Sequence, residues 1–223
     1  MLIKIKTLTI GITLFLFLSY TSLAQSRPML PAEQQALDML TRASAKLKEF
    51  RTMEITFTYE MENSQFSVSE TMEGKIYSKG DKYRMIIGDN IFISDGQTVW
   101  NFIDETYEIH INYVENMEGG LTPTALLANF KTDFRSKFIR QETLNGRAIN
   151  IIDLIPNTSQ SFFKYRIALD ANNMIVYTIA YDRHGGTNTF NINDVRTNHA
   201  ISDDKFKFNR AEFPSDADVI DLR

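Results

Sequence analysis

From Pro31 onward the apolar residues recur three or four apart, at Leu37, Leu40, Ser44 and Leu47, with Ala36 and Ala43 beside them. Asp38, Arg42, Lys46 and Glu49 fall on the opposite side. This spacing predicts an amphipathic helix that ends near Phe50, with Pro31 at its first position, where a missing N–H costs nothing. The period then changes to two. Ile55, Phe57, Tyr59 and Met61 alternate with Thr56, Thr58 and Glu60, which predicts a strand with one buried face. Strand-like runs follow over 66–77, 82–87, 91–93, 98–103 and 107–113. Turn signals separate them at Lys79-Gly80-Asp81, Gly88-Asp89-Asn90, Asp95-Gly96 and Asp104-Glu105. Loops this short make neighbouring strands antiparallel, because a parallel crossover needs about a dozen residues or more.

Gly119-Gly120 interrupts the run of strands, and Thr122-Pro123 predicts the start of a second helix with Leu126, Leu127 and Phe130 along one side. Strand patterns resume over 134–142, 148–155, 162–170, 174–181 and 188–195, with Asn145-Gly146 as the strongest hairpin signal. A short turn around Asp203 and Asp204 leads to Phe206, Phe208 and a last strand near Val219. The expected fold class is α+β, with ten or eleven antiparallel strands and two amphipathic helices. A sheet of that size should curl into an incomplete barrel.

The N-terminus adds a compartment. Lys4 and Lys6, an apolar run from Leu8 to Leu18, and Ser22-Leu23-Ala24 together have the form of a secretory signal peptide spanning 1–24. The run is too short to span a bilayer. Gln25 follows, not cysteine, so no lipid would be attached there, and residues 25–223 are expected to act as one free domain outside the cytoplasm. Loss of Lys4 and Lys6 takes the net charge from −4 to −6. That balance disfavours nucleic acid and anionic headgroups as partners. Cysteine is absent, so neither disulfides nor thiol chemistry contribute, while 16 Phe, 9 Tyr and 9 Met supply material for a core.

Catalytic patterns are not found. His110, His184 and His199 have no paired spacing, and no HExxH or GxSxG occurs. Ser94-Asp95-Gly96 fits a hairpin turn, and Asp203 and Asp204 fit the cap of a short helix. No cofactor, metal site or enzymatic activity is expected. The unusual feature is the alternation of large apolar residues through the strands: Phe57, Tyr59, Met61, Tyr83, Met85, Trp100 and Phe102. Such a face suits either a core packed solid by the helices or an apolar cavity able to hold a ligand.

Four stretches, taken in order, resemble the periplasmic outer-membrane lipoprotein carriers, the LolA-like family. They are Phe50-Arg51-Thr52 with the strand after it; Gly74-Lys75-Ile76-Tyr77 through Lys82-Tyr83-Arg84-Met85; Ile93-Ser94-Asp95-Gly96-Gln97-Thr98-Val99-Trp100; and the tail from Phe206 through Pro214 to Arg223. The tail is most similar to Bacteroidetes-type members. The resemblance implies a half-barrel with a helical lid over an apolar cavity, and a carrier that takes acylated lipoproteins from an inner-membrane ABC transporter to an outer-membrane acceptor, acting as a monomer in the periplasm. An envelope-stress sensor of the same fold is the alternative. Expected acyl-chain contacts are Phe57, Tyr59, Tyr83, Met85, Ile87, Phe92, Trp100 and Phe102, with Leu126 and Leu127 on the lid. Lys79-Gly80 stands where carriers have an Arg-Pro pair, which makes Lys79 the expected lid latch.

Overall fold

The computed structural model describes residues 30–116 and 124–223. The expected signal peptide and the Gly119-Gly120 and Thr122-Pro123 signals lie outside the described residues. Helix α1 runs over Pro31–Lys48, its first turn closed by the Leu30 N–H donating to Glu33 Oε2 at 3.0 Å. Six strands follow: β1 Met53–Asn63, β2 Val68–Lys79, β3 Lys82–Ile87, β4 Asn90–Ser94, β5 Thr98–Ile103 and β6 Glu108–Tyr113. After a 3-10 turn at Ala125–Leu127 and the four-residue helix α2, Phe130–Asp133, come β7 Phe134–Leu144, β8 Arg147–Pro156, β9 Phe162–Asp170, β10 Ile175–Asp182 and β11 Gly186–Thr197. The tail forms two 3-10 turns and β12, Asp218–Asp221.

All twelve strands belong to one sheet, ordered β12-β6-β5-β4-β3-β2-β1-β11-β10-β9-β8-β7. Two meanders, β1 to β6 and β7 to β11, are joined where β1 pairs with β11. The edge strands β12 and β7 do not pair with each other, so among the described residues the sheet is unclosed. Turn chemistry sets the hairpins. Asn145 and Gly146, at φ 50° and 76°, make the β7–β8 turn with both central residues in the left-handed region.

Three expectations are corrected. The strand count is twelve, not ten or eleven. One pair, β12 with β6, is parallel; the long return from β11 over the sheet supplies the crossover that a parallel pair needs. The second helix is not continuous, because Asn129 leaves helical geometry at φ −116°, ψ 19° and separates the 3-10 turn from α2. Asparagine competes poorly in helix interiors, and Leu126, Leu127 and Phe130 still reach the core from separate turns.

The sheet has two faces to cover. On one, the helix face, Ala36, Leu40 and Ala43 of α1 pack with Leu126, Leu127 and Phe130 against Ile152, Leu154, Ile167 and Leu169 of β8 and β9. Beside them Met53, Ile55, Phe57, Ile76, Met85 and Ile87 form a second cluster on β1 to β3, touched by Leu47 and Phe50. On the other, the tail face, Phe208, Phe213 and Ala217 cover Ile93, Phe102 and Ile109. Strand β8 is buried on both sides, with Ile152 and Leu154 toward the helix and Ile149 and Ile151 on the tail face under Val176 and Tyr177. Between Ile149 and Ile155 apolar residues fall at both odd and even positions, interrupted by Asn150 and Asp153, which is the sequence mark of burial on both faces.

Phe57 is fully buried, and it fits because Gly74 lies opposite it on β2. A Cβ on Gly74 would collide with the Phe57 ring, meeting Cζ first. Gly74→Ala should therefore cost about 1–3 kcal/mol by overpacking, measured as a lower urea midpoint. An unchanged midpoint would show that the ring does not lie over the glycine.

Candidate ligand cavity

Helix α1 crosses the helix face but ends at Lys48, and its last turns do not close down on β2 and β3. A cavity of about 980 Å³ remains there. Its apolar wall comes from Leu47 and Phe50 at the helix end, Met53 and Ile76 on β1 and β2, and Tyr83 and Val99 on β3 and β5. Leu126, Leu127 and Phe134 extend that wall from the other meander. The remaining lining is polar and lies mostly on loops, at Asn116, Thr124, Asn129 and 158–160.

The β4–β5 turn holds one corner. Asp95 Oδ1 accepts from the N–H groups of Gln97 and Thr98, each at 2.9 Å, and Ser94 Oγ accepts from Gly96 N–H at 3.1 Å. Gly96 sits at φ 98°, a conformation that favours glycine. The Ser94-Asp95-Gly96 stretch is thus a turn built from side-chain caps, which presents Val99 to the cavity.

The expected contact residues divide. Tyr83, Leu126 and Leu127 line the cavity. Phe57, Met85 and Ile87 share the helix face but are buried in the cluster beyond it, with Tyr59 and Phe92 packed against that cluster. Tyr59 Oη donates to Asn188 Oδ1 at 3.1 Å. Trp100 and Phe102 are corrected: both lie on the tail face. In the β4–β5 register Phe92 pairs with Asn101, so Asn101 shares its face and the residues on either side of it point away. Trp100 stacks on Phe208 with centroids 5.5 Å apart, and Phe102 packs on Phe213 at 5.4 Å.

Lys79 is corrected by the same alternation. Ile76 and Ser78 face the cavity, whereas Lys79 reaches the tail, where its Nζ lies 3.1 Å from Asp203 Oδ2. Lys82 shares that carboxylate at 3.4 Å. Lys79, first of the two, holds Asp203 below the usual carboxylate range. This pair ties the tail to the β2–β3 hairpin and has no contact with Leu126 or Leu127. Asp203 and Asp204 lie in the first turn of the 3-10 helix Asp203–Phe206, and the cap itself is Ser202.

The sequence pattern marks Leu47 on the apolar side of α1 and Phe134 as a strand start, without joining them to the site. Nothing in the sequence signals the polar wall at 158–160. Among the described residues no group of three or more His, Cys, Asp or Glu gathers to hold a metal, and no helix is long and apolar enough to cross a membrane.

Residues 17–209 match the family model described as outer membrane lipoprotein carrier protein LolA. The chain belongs to the LolA family. An outer-membrane lipoprotein carrier protein of Haemophilus ducreyi is 24% identical over 196 residues, covering 86% of this chain and 88% of the relative. Among solved structures, an uncharacterized conserved protein from Thermus thermophilus superposes with a TM-score of 0.56 at 14% identity, covering 84% of this chain and 99% of the other. A LolA-superfamily protein from Nitrosomonas europaea gives a TM-score of 0.43 at 13% identity, covering 78% and 97%. Family membership carries the reading of this chain as a lipoprotein-binding protein, while the Thermus structure shares its fold.

Within the family frame Tyr83 reports on the cavity. Burial pushes its phenol up to about 12 from an ordinary value of 10. The folded state therefore holds this proton more tightly than the unfolded chain. The resulting stabilisation is complete below pH 10 and is lost as pH rises through about 12. Absorbance titration at 295 nm should show a tyrosine ionising near 12 that disappears in Tyr83→Phe. A difference spectrum centred on 10 would place Tyr83 in open water.

Proposed function

We propose that this protein binds the acyl chains of lipoproteins in the cavity between α1 and the sheet and ferries them through the periplasm. In this reading an inner-membrane ABC transporter loads the cargo and an outer-membrane acceptor removes it. The curved sheet acts as an incomplete barrel, and α1 with the Leu126–Phe130 segment acts as its lid. The supporting observation is the cavity itself: about 980 Å³ walled by Leu47, Met53, Ile76, Tyr83, Leu126 and Leu127, at the upper end of the range for small-molecule sites.

Elementary energetics explain the need for a carrier. Burial stabilises by about 0.8 kcal/mol per methylene, so a sixteen-carbon chain costs on the order of 12 kcal/mol to keep in water. The carrier must match that surface and still let go. Contacts with leucine, methionine and aromatic edges tolerate shape and fix no hydrogen bond to the chain, which suits transfer. Phe57, Tyr59, Met85, Ile87 and Phe92 continue the same face beyond the cavity and serve as its packed floor.

Ser78 lines the cavity on β2, a strand position where an aromatic side chain is well tolerated. Ser78→Trp should fill the space and weaken uptake of a fluorescent fatty acid at least tenfold, with the thermal midpoint within about two degrees of wild type. Native mass spectrometry of the protein taken from its own periplasm should reveal acylated cargo that the variant lacks. Unaltered uptake by a folded Ser78→Trp protein would refute the assignment.

A further inference from the structure

The tail covers its face of the sheet over β4 to β6. Farther along the same face, Ile149, Ile151 and Ala168 lie with Ile139, Val176 and Tyr177, a cluster built from strand residues alone. Register places basic residues around it. Lys137 stands opposite Asp153 and Arg135 opposite Ile155 across β7 and β8, and Arg166 stands opposite Asp153 across β8 and β9. Pairing and alternation add Arg140, Arg147 and Lys164 to that face.

The carboxylates there do not balance these cations. Arg166 holds Asp153 through two bonds of 2.7 and 3.0 Å, and Arg140 holds Glu142 at 2.6 Å. Asp170, at the end of β9, accepts from the N–H groups of Asn172 and Met174. Arg135, Lys137, Arg147 and Lys164 form no ion pair among the described residues. The next acids, Glu60 and Glu62 of β1, are separated from Lys164 by β10 and by threonine and asparagine side chains of β11. Three strand spacings come to ~14 Å, more than the screening length of about 10 Å at 0.1 M salt. The net charge of −4, which by itself disfavours anionic headgroups, averages over this segregation.

Aromatic rings sit among the cations. Lys164 Nζ lies 3.8 Å from the Tyr181 ring centroid, and the Phe163 ring lies 6.4 Å from the same centroid. Phe162 turns in to the helix-face cluster, whereas Phe163, beside the register shift between Tyr181 and Asp182, is 41% exposed. Strands β8, β9 and β10 are paired on both sides, so an extended peptide finds no main-chain partners on this face. Unpaired cations spread around exposed rings suit a surface of many phosphates, with the rings seated at headgroup level.

We propose that the tail face of β7 to β10 docks the protein on anionic bilayers. Arg135, Lys137, Arg147 and Lys164 meet lipid phosphates, and Phe163 enters the headgroup layer. Residues 158–160, which wall the cavity, run directly into this patch, so docking brings that wall to the lipid surface. The docking face is independent of what fills the cavity.

The test is cosedimentation of the protein with vesicles of phosphatidylethanolamine mixed either with phosphatidylglycerol or with phosphatidylcholine. Wild-type protein should partition at least about tenfold more strongly onto the anionic vesicles, and about 1 M salt should remove the difference. Lys137→Gln combined with Lys164→Gln should weaken that partition about fivefold per residue. Lys46→Gln combined with Lys207→Gln makes the same change of charge at exposed positions outside the patch, and should stay within about twofold of wild type. Uptake of a fluorescent fatty acid should be unchanged in both double variants, so loss of docking and loss of acyl binding read separately. Equal partition onto the two kinds of vesicle, or an equal drop in the two double variants, overturns the docking face. Polyglutamate binding that the patch variant loses, with no binding to vesicles, assigns the face to an acidic protein and overturns the proposal as well.

Discussion

One helix cannot cover a face of twelve strands. At about 1.5 Å per residue the 18 residues of α1 reach ~27 Å, whereas twelve strands about 4.8 Å apart spread over ~53 Å from edge to edge. Helix α1 lies closest to the edge strand β7, and its Ala36, Leu40 and Ala43 share one cluster with Ile152, Leu154, Ile167 and Leu169 of β8 and β9. That close seating uses up the helix. Over β2 and β3 only Leu47 and the following Phe50 remain to reach the sheet, and the space they do not fill is the cavity.

The opposite face is covered differently. Among the described residues it receives no long helix, and the chain returns over it as two 3-10 turns and a short parallel strand. Stacked rings do the sealing there, with Phe208 between Trp100 and Phe213. Arg210 bonds the carbonyls of Phe213 and Ala217, and so holds the return in a compact shape. Arg84 adds an ion pair to Glu212 at 2.8 Å. Largely exposed pairs such as Lys79 with Asp203 contribute little by themselves; they place a segment that aromatic burial holds. Sealing part of one face and leaving the other partly open leaves a hollow beside α1 among the described residues.

A hollow with an apolar wall and a polar wall binds by partition. In the reading proposed above, hydrocarbon leaves water for Leu47, Met53 and Tyr83. In that reading the direction of transfer follows from relative affinities along the route. LolA-family membership rests on residues 17–209 as a sequence, and the cavity on the packing of the described residues.

Much of this was legible before any coordinates. The change of period from three or four to two marked α1 and β1, and the turn residues bounded β3, β5 and β9 at their observed ends. These signals are local, since helix and strand periods and left-handed turn positions act over a few neighbours. Faces were not legible in the same way. Trp100 and Phe92 look equivalent as apolar strand residues, yet the pairing across the Ser94–Thr98 turn sets them on opposite sides. Lys79 is the latch that the resemblance implies, because Lys79-Gly80 stands where carriers have Arg-Pro, and strand alternation sends it instead to Asp203. Residues 158–160 sit in a run of polar residues that reads as an ordinary solvent loop, and only the seating of that loop against Asp133 and Arg183 brings it to the cavity wall. The amino-acid order by itself determined the elements, the turns and the family, because those depend on contacts between near neighbours. Register, the side each ring faces, and the gap left beyond the end of α1 were decided by tertiary packing, because they depend on where distant segments stop.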